Sequence, residues 1–232
     1  LQECEDEVGY EELSHRFVHV GAAEAKDNHG FVHVYVRHDV NCAAVEMRAG
    51  MSGVCVRVSL DESRRETVIV AAVHLPVGDS GGMRKKILAN VLQSVTTAER
   101  CGCHSKARVL LIGDMNANKD DEVATTCDQL KLKESRYAGF SWGTKDNRFY
   151  GDSEYGGPGL KKDRVLFGTE IWAETHLIGQ RRRFFEGAEF CLSDHFGLLI
   201  YVDASNMYSS RSKADVLNLL YGRDGQCSLS IY

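Results

Sequence analysis

Four short polar clusters lie along this chain, each set against an apolar run: Leu1-Gln2-Glu3, His74-Leu75, Gly113-Asp114-Met115-Asn116 and Ser193-Asp194-His195. A carboxylate can hold a cation or take a proton, an amide can position an oxygen, and an imidazole can donate to growing negative charge. Hydrolytic displacement at a charged centre such as phosphorus uses those groups together, often around a metal ion. The apolar runs say how they could meet: residues 67–73 lead into His74, residues 109–112 lead into Asp114, and residues 198–202 follow His195. In a mixed sheet the end of one strand lies beside the start of its antiparallel neighbour, so residues far apart in sequence converge on one rim.

The segment Gly113-Asp114-Met115-Asn116 is the most informative of the four. Side chains alternate along a strand, so Asp114 and Asn116 are expected on one side of its end, with Gly113 relaxing the backbone and leaving room for a ligand. Taken alone, the tetrapeptide reads equally as a strand running into a polar turn. Ser193-Asp194-His195 alone reads as a helix cap or turn, but followed by Phe196-Gly197 and a β-prone run it becomes a histidine at a strand entrance. A fifth segment, Lys162-Asp163-Arg164-Val165-Leu166-Phe167, places Asp163 at the start of another short strand. A histidine that acts on a phosphate needs an acceptor on its second nitrogen, and Asp163 is the candidate for His195. The plainer reading of Asp163 is a surface carboxylate among Lys161, Lys162 and Arg164.

As an ordered set, these segments resemble the endonuclease/exonuclease/phosphatase superfamily, and the resemblance runs from residue 1 to Asp203. Within it the chain is most similar to the type 2 tyrosyl-DNA phosphodiesterases, through Phe140-Ser141-Trp142-Gly143-Thr144, Lys162-Asp163-Arg164-Val165-Leu166-Phe167 and residues 192–199. The resemblance implies an α/β (α+β) fold, a four-layer α/β/β/α sandwich with its site at one edge. It implies a Mg²⁺-dependent phosphodiesterase, with Mn²⁺ able to substitute, acting on 5′-phosphotyrosyl bonds at DNA ends in DNA repair. The implied roles are metal ligand for Glu3, activation of the attacking water by Asp114, and positioning of a phosphate oxygen by Asn116. His74 and His195 would donate to charge growing on phosphorus, Asp163 would orient His195, and Asp194 would serve the metal side or orient its neighbour. Trp142 would line the groove of the terminal nucleotide, where an aromatic face stacks on any base. An intracellular, nuclear location goes with that activity. Leu1-Gln2-Glu3 resembles the tail of a strand whose body lies upstream, so amino-terminal strand material is expected to be missing.

Two positions depart from the tyrosyl-DNA phosphodiesterase pattern. Pro76-Val77 follows His74-Leu75 where an acidic residue and a serine are usual, and Asn118, beside Lys119, stands where an arginine is expected. The phosphate grip is therefore altered. The alternatives are another superfamily phosphodiesterase, such as a deadenylase, sphingomyelinase or abasic-site endonuclease, and a pseudoenzyme that binds without cleaving.

Composition bounds these readings. With 232 residues, 43% of them hydrophobic, the chain can bury a full core, and we expect one domain over 1–205 and a tail over 206–232. No apolar run reaches the roughly 18 residues of a membrane helix, and no secretory leader is seen. A net charge of -5 disfavours bulk electrostatic coating of nucleic acid, so contact must be local, through Lys161, Lys162 and Arg164 or through Arg181-Arg182-Arg183. The eight cysteines are scattered, which suits a reduced interior, and Cys101-Gly102-Cys103-His104 lacks the second pair of a zinc site.

Elsewhere the pattern predicts a hairpin, with strands over 54–60 and 67–75. An amphipathic helix after Gly81-Gly82 should bury Met83, Ile87, Leu88, Val91, Leu92 and Val95. The glycine-rich stretch 151–159 reads as a flexible connection, and 214–221 as a short helix.

Overall fold

The computed structural model describes residues 11–25, 30–45, 53–59, 67–78, 82–100, 108–117, 119–144, 158–178, 183–185, 188–190, 195–203 and 229–231. Glu3, Asn118, Asp194, the 101–104 cluster, Arg181, Arg182, most of 151–159 and the expected helix over 214–221 lie outside those residues.

After a 3₁₀ turn at Glu11–Leu13 come strands β1 (Phe17–Glu24), β2 (Phe31–Arg37), β3 (Cys42–Val45), β4 (Gly53–Ser59) and β5 (Thr67–Val73), then helix α1 (Gly82–Arg100). Strand β6 (Arg108–Asp114) and helix α2 (Asp120–Leu130) follow, then β7 (Leu132–Glu134), β8 (Trp142–Thr144), β9 (Pro158–Leu160) and β10 (Asp163–Gly168). The described chain ends with β11 (Trp172–Ile178), β12 (Arg183–Phe185), β13 (Ala188–Phe190), β14 (Gly197–Asp203) and β15 (Leu229–Ile231).

The central sheet has the order β3-β4-β5-β6-β10-β7. It is mixed: β5 and β6 run parallel, joined by α1, and the remaining neighbours are antiparallel. Its middle strands are β-branched and aliphatic, and all seven residues of β5 are buried, as a strand covered on both faces requires. Alternation then sorts the side chains between two cores. Val56, Val58, Val68, Val70, Leu110, Ile112, Val165 and Phe167 point to one side, where they meet Val32 and Val36 of β2, Ala173 of β11, and Leu198 and Ile200 of β14. Cys55, Ile69, Ala71, Val73, Leu111 and Leu166 point to the other, where they meet Ile87, Leu88, Val91 and Val95 of α1 and Val123 and Cys127 of α2. A helical layer, the six-stranded sheet and a second β layer thus stack in that order, the layering of an α/β sandwich.

The predicted hairpin is β4–β5, and the predicted helix is α1. Met83 differs from expectation, being 52% exposed. The inward position of the first turn belongs to Arg84, one residue on, which is buried and grips Glu122 of α2 through Nε at 2.8 Å and Nη2 at 2.9 Å. Helix α2 begins with Asp120, Asp121 and Glu122, which suit a helix amino terminus, and ends where Lys131 turns left-handed at φ 57°. Cys55 is buried, and burial pushes its thiol up to about 12, the behaviour of an inert core thiol. Residues 229–231, within the stretch expected to be a tail, form β15 and pair antiparallel with β14. Among the described residues no helix is long and apolar enough to cross a membrane.

Candidate active site

Strands β5, β6 and β10 end or begin at one rim of the central sheet, and this rim gathers the polar residues. His74 and Leu75 continue from β5, and the Leu75 amide donates to the carbonyl of Asp114 at 2.8 Å. Asp114 closes β6, with Asp163, the first residue of β10, directly opposite it across the antiparallel ladder. Two carboxylates facing each other on adjacent strands repel.

Asn116 is not on the strand, contrary to the alternation argument. Its backbone amide donates to Asp114 Oδ1 at 2.7 Å, closing a side-chain turn, and its φ is 46°. Asparagine is among the few side chains that tolerate that left-handed geometry. Its Nδ2 donates to the Leu75 carbonyl at 2.8 Å, which turns the amide back towards the His74 segment and commits one of its two amide hydrogens. The strand end and turn together bury His74, Asp114 and Asn116.

The histidines flank one oxygen. Asp114 Oδ2 lies 3.7 Å from His74 Nε2 and 3.9 Å from His195 Nε2, beyond hydrogen-bond length but well within electrostatic reach. His195 Nδ1 stands 2.7 Å from Asp163 Oδ2, so the tautomer protonated at Nδ1 donates to Asp163, and Nε2 points towards Asp114. Burial pushes the Asp114 carboxyl up to about 6, and the Asp163 carboxylate adds to the rise; His195, the Asn116 amide and His74 oppose it. A carboxylate tuned towards neutrality between two imidazoles is equipped to accept a proton.

The backbone around Asp163 and His195 is stapled by Tyr137 and Ser141, to which sequence reasoning gave no role, and by Trp142 and Arg164, to which it gave others. Ser141, fully buried, accepts from the Asp163 amide through Oγ at 3.1 Å and from the Phe196 amide through its carbonyl at 2.8 Å. Tyr137 donates its hydroxyl to the Asp163 carbonyl at 2.8 Å. Trp142 pairs with His195 in an isolated antiparallel bridge, and their rings lie 6.5 Å apart. Buried Arg164 binds Glu134 and Asp120 through Nη1 at 2.7 and 2.8 Å and the Lys161 carbonyl through Nε at 2.6 Å, joining β10, β7 and α2. Ser141 and Arg164 sit inside the recognisable segments, so proximity to Trp142 and Asp163 was the available signal; Tyr137 offered none.

The basic cluster expected to meet phosphate is thereby altered, because Arg164 is buried and paired with Glu134 and Asp120. Lys161 Nζ is held by the Tyr137 carbonyl at 3.0 Å and lies over the Tyr137 ring. Glu3 and Asp194 fall outside the described residues, so the rim joins His74, Asp114, Asn116, Asp163 and His195, with Trp142 beside them.

Among solved structures the chain is similar to truncated Caenorhabditis elegans TDP2, at 18% identity and a TM-score of 0.59, over 87% of this chain and 82% of that one. It is similar to D. rerio TDP2 complexed with single strand DNA product at 18% identity and 0.55, over 83% and 79% of the two chains. An endonuclease/exonuclease/phosphatase family protein from Bacteroides thetaiotaomicron aligns at 12% identity and 0.53, over 82% and 76%. The fold is that of the endonuclease/exonuclease/phosphatase superfamily. A mannosyl-6-phosphatase of B. thetaiotaomicron has the same fold, at 12% identity and 0.53, over 81% and 76%. No protein-family profile and no curated protein matches the sequence.

Among the described residues no group of three His, Cys, Asp or Glu side chains could hold a metal ion. Magnesium commonly needs only one or two protein carboxylates, with water and substrate phosphate completing its shell. Among the described residues the rim supplies the carboxylates of Asp114 and Asp163, and Glu3, the ligand implied by the resemblance, lies outside them.

Proposed function

We propose that this protein is a metal-dependent phosphodiesterase that hydrolyses 5′-phosphotyrosyl bonds at DNA ends. The observation that carries the hydrolytic reading is the arrangement of His74 and His195 on either side of Asp114 Oδ2, with Asp163 on the far nitrogen of His195. Asp114 takes a proton from the attacking water as its oxygen bonds to phosphorus. The bond from phosphorus to the tyrosyl oxygen breaks on the opposite side, and the released phenolate takes its proton from solvent. Nε2–H of His74 and Nε2–H of a doubly protonated His195, whose Nδ1–H is held by Asp163, donate to phosphoryl oxygens. Asn116 positions the phosphate with its remaining amide hydrogen. Fixed groups aimed at developing charge lower the barrier because they need no reorganisation during reaction. Magnesium, bound through Glu3, would supply further charge stabilisation.

DNA as the substrate rests on the tyrosyl-DNA phosphodiesterase segments, on the likeness to TDP2, one example of which is complexed with single-stranded DNA, and on Trp142 beside His195. Such an enzyme would work in the nucleus. The likeness to a mannosyl-6-phosphatase, together with Val77 in place of a phosphate-holding serine, supports a second reading as a phosphatase of a different phosphoester. Purified protein with Mg²⁺ should release tyrosine from a 5′-tyrosyl oligonucleotide, leave a 5′-phosphate, and stop on addition of chelator. Faster turnover of a sugar phosphate, sphingomyelin, poly(A) or an abasic site under the same conditions would move the assignment to that substrate.

A further inference from the structure

We propose that Lys162 is a specificity-determining residue that selects a nucleic-acid strand carrying a phosphodiester next to the bond being cleaved. This rests on the proposed DNA reading and adds the group that recognises the strand beyond the scissile phosphate.

Lys162 Nζ lies 3.9 Å from the centroid of the Trp142 ring, and that ring lies 6.5 Å from the ring of His195. The indole thus has both the ammonium and the imidazole as neighbours. Lys162 cannot move its backbone freely, because its carbonyl accepts the Met115 amide at 3.0 Å, one residue from Asp114, and Asp163 follows it in β10. Only the side chain has freedom.

The neighbouring cations are committed elsewhere. Arg164 is buried against Glu134 and Asp120, and Lys161 is hydrogen-bonded to the Tyr137 carbonyl. Among the described residues no carboxylate pairs with Lys162; its recorded partner is the face of Trp142. A cation over an indole gains enough to hold the side chain and less than a charge-assisted contact to an anion can offer.

A polyanionic strand seated at this rim lies close to the buried carboxylates of Asp114 and Asp163. Repulsion has to be offset locally, since the chain is acidic overall at -5. Lys162 supplies that charge on the Trp142 side. Its ammonium acts as a point charge on a flexible stem, which suits a phosphate whose exact orientation varies. While the ammonium lies over one face of Trp142 that face is closed to a base, so charge rather than base identity is what this position reads.

The test is binding of a 5′-phosphorylated single strand, which does not depend on turnover, compared with the same strand carrying a neutral methylphosphonate at its first internucleotide linkage. The natural protein should favour the charged linkage by about fivefold or more, and Lys162→Met should remove that preference. The slope of log affinity against log salt should fall by about 0.7 in the variant, the value for one phosphate contact on a single strand. Lys162→Arg should retain both signatures, which a loss through misfolding would not allow. The idea is overturned if Lys162→Met keeps the preference, if both strands lose affinity equally, or if the natural protein binds neither strand. Binding with the lysine signature but without cleavage of a tyrosyl end would instead overturn the proposed activity and leave this inference standing.

Discussion

His74 and His195 stand at nearly equal distances from Asp114 Oδ2, yet they are held by different means. His74 is 1% exposed and rides on the end of β5, the most deeply buried strand of the central sheet. His195 retains 16% side-chain exposure and hangs from an isolated bridge to Trp142, with its ring oriented by Asp163. The inner half is buried and closed by hydrogen bonds within the β5 and β6 ends, and the outer half is more exposed, with the His195 ring oriented by Asp163. A site that must be preorganised and must also admit a polymer needs both, and the half open to substrate is the one built on three-residue strands.

The largest effect should come from the atom the two halves share. Asp114→Asn removes the proton acceptor while keeping its shape, and turnover of a tyrosyl oligonucleotide should fall by about a thousandfold or more. In the unsubstituted protein the ionised fraction of Asp114 rises with pH through about 6, so kcat should climb on the acid side with a midpoint near that value and the climb should vanish in the variant. Near-normal turnover of Asp114→Asn would place the chemistry elsewhere.

Next come two substitutions that separate scaffold from orientation. Arg164→Met leaves Glu134 and Asp120 without their shared buried cation, and breaking a buried pair costs about 3 kcal/mol. Chemical denaturation should show that loss, with turnover at low temperature affected far less. Asp163→Asn should do the reverse: the ring of His195 loses its charged acceptor, kcat should fall by about a hundredfold, and stability should change little. Equal effects of Asp163→Asn on stability and turnover would mean that Asp163 is structural.

The inner half was the more legible of the two in the sequence. Apolar runs bounded β5, β6 and β10, and the polar residues at their ends met as the rule of strand neighbours requires. The pairing of Asp163 with His195 was inferred from the need of an imidazole for an acceptor, and the 2.7 Å contact agrees. What the pattern could not give was the turn at Asn116, because strand alternation stops where a side chain captures a backbone amide. Nor could it give Tyr137, Ser141 and the β8–β9 pair, whose contacts join segments of short, weakly patterned strand. The basic cluster around Asp163 misled for a related reason: charge in a sequence carries no sign of burial, and Arg164 is spent on the interior.

The smallest effect is the most direct check on the shared carboxylate, since it needs no substrate. Asp114 titrates at about 6 in the folded protein against 3.8 as its ordinary value. Between those values the folded state binds more protons than the unfolded state, so this group's contribution to stability falls as pH rises from about 4 to about 6 and stays low above it. Converted in full, the shift amounts to about 3 kcal/mol; the weaker acceptor that an amide offers to Asn116 offsets part of it. Asp114→Asn, neutral at every pH, should therefore be more stable than the unsubstituted protein by about 1 kcal/mol at pH 7. That advantage should disappear below about pH 4, where the carboxyl is protonated in both states. Urea titrations at pH 7 and pH 4 would measure it. A variant less stable at pH 7 would mean that favourable partners outweigh the cost of burying the Asp114 carboxylate, and the contrast between a deeply buried inner half and a more exposed outer half would lose its energetic basis.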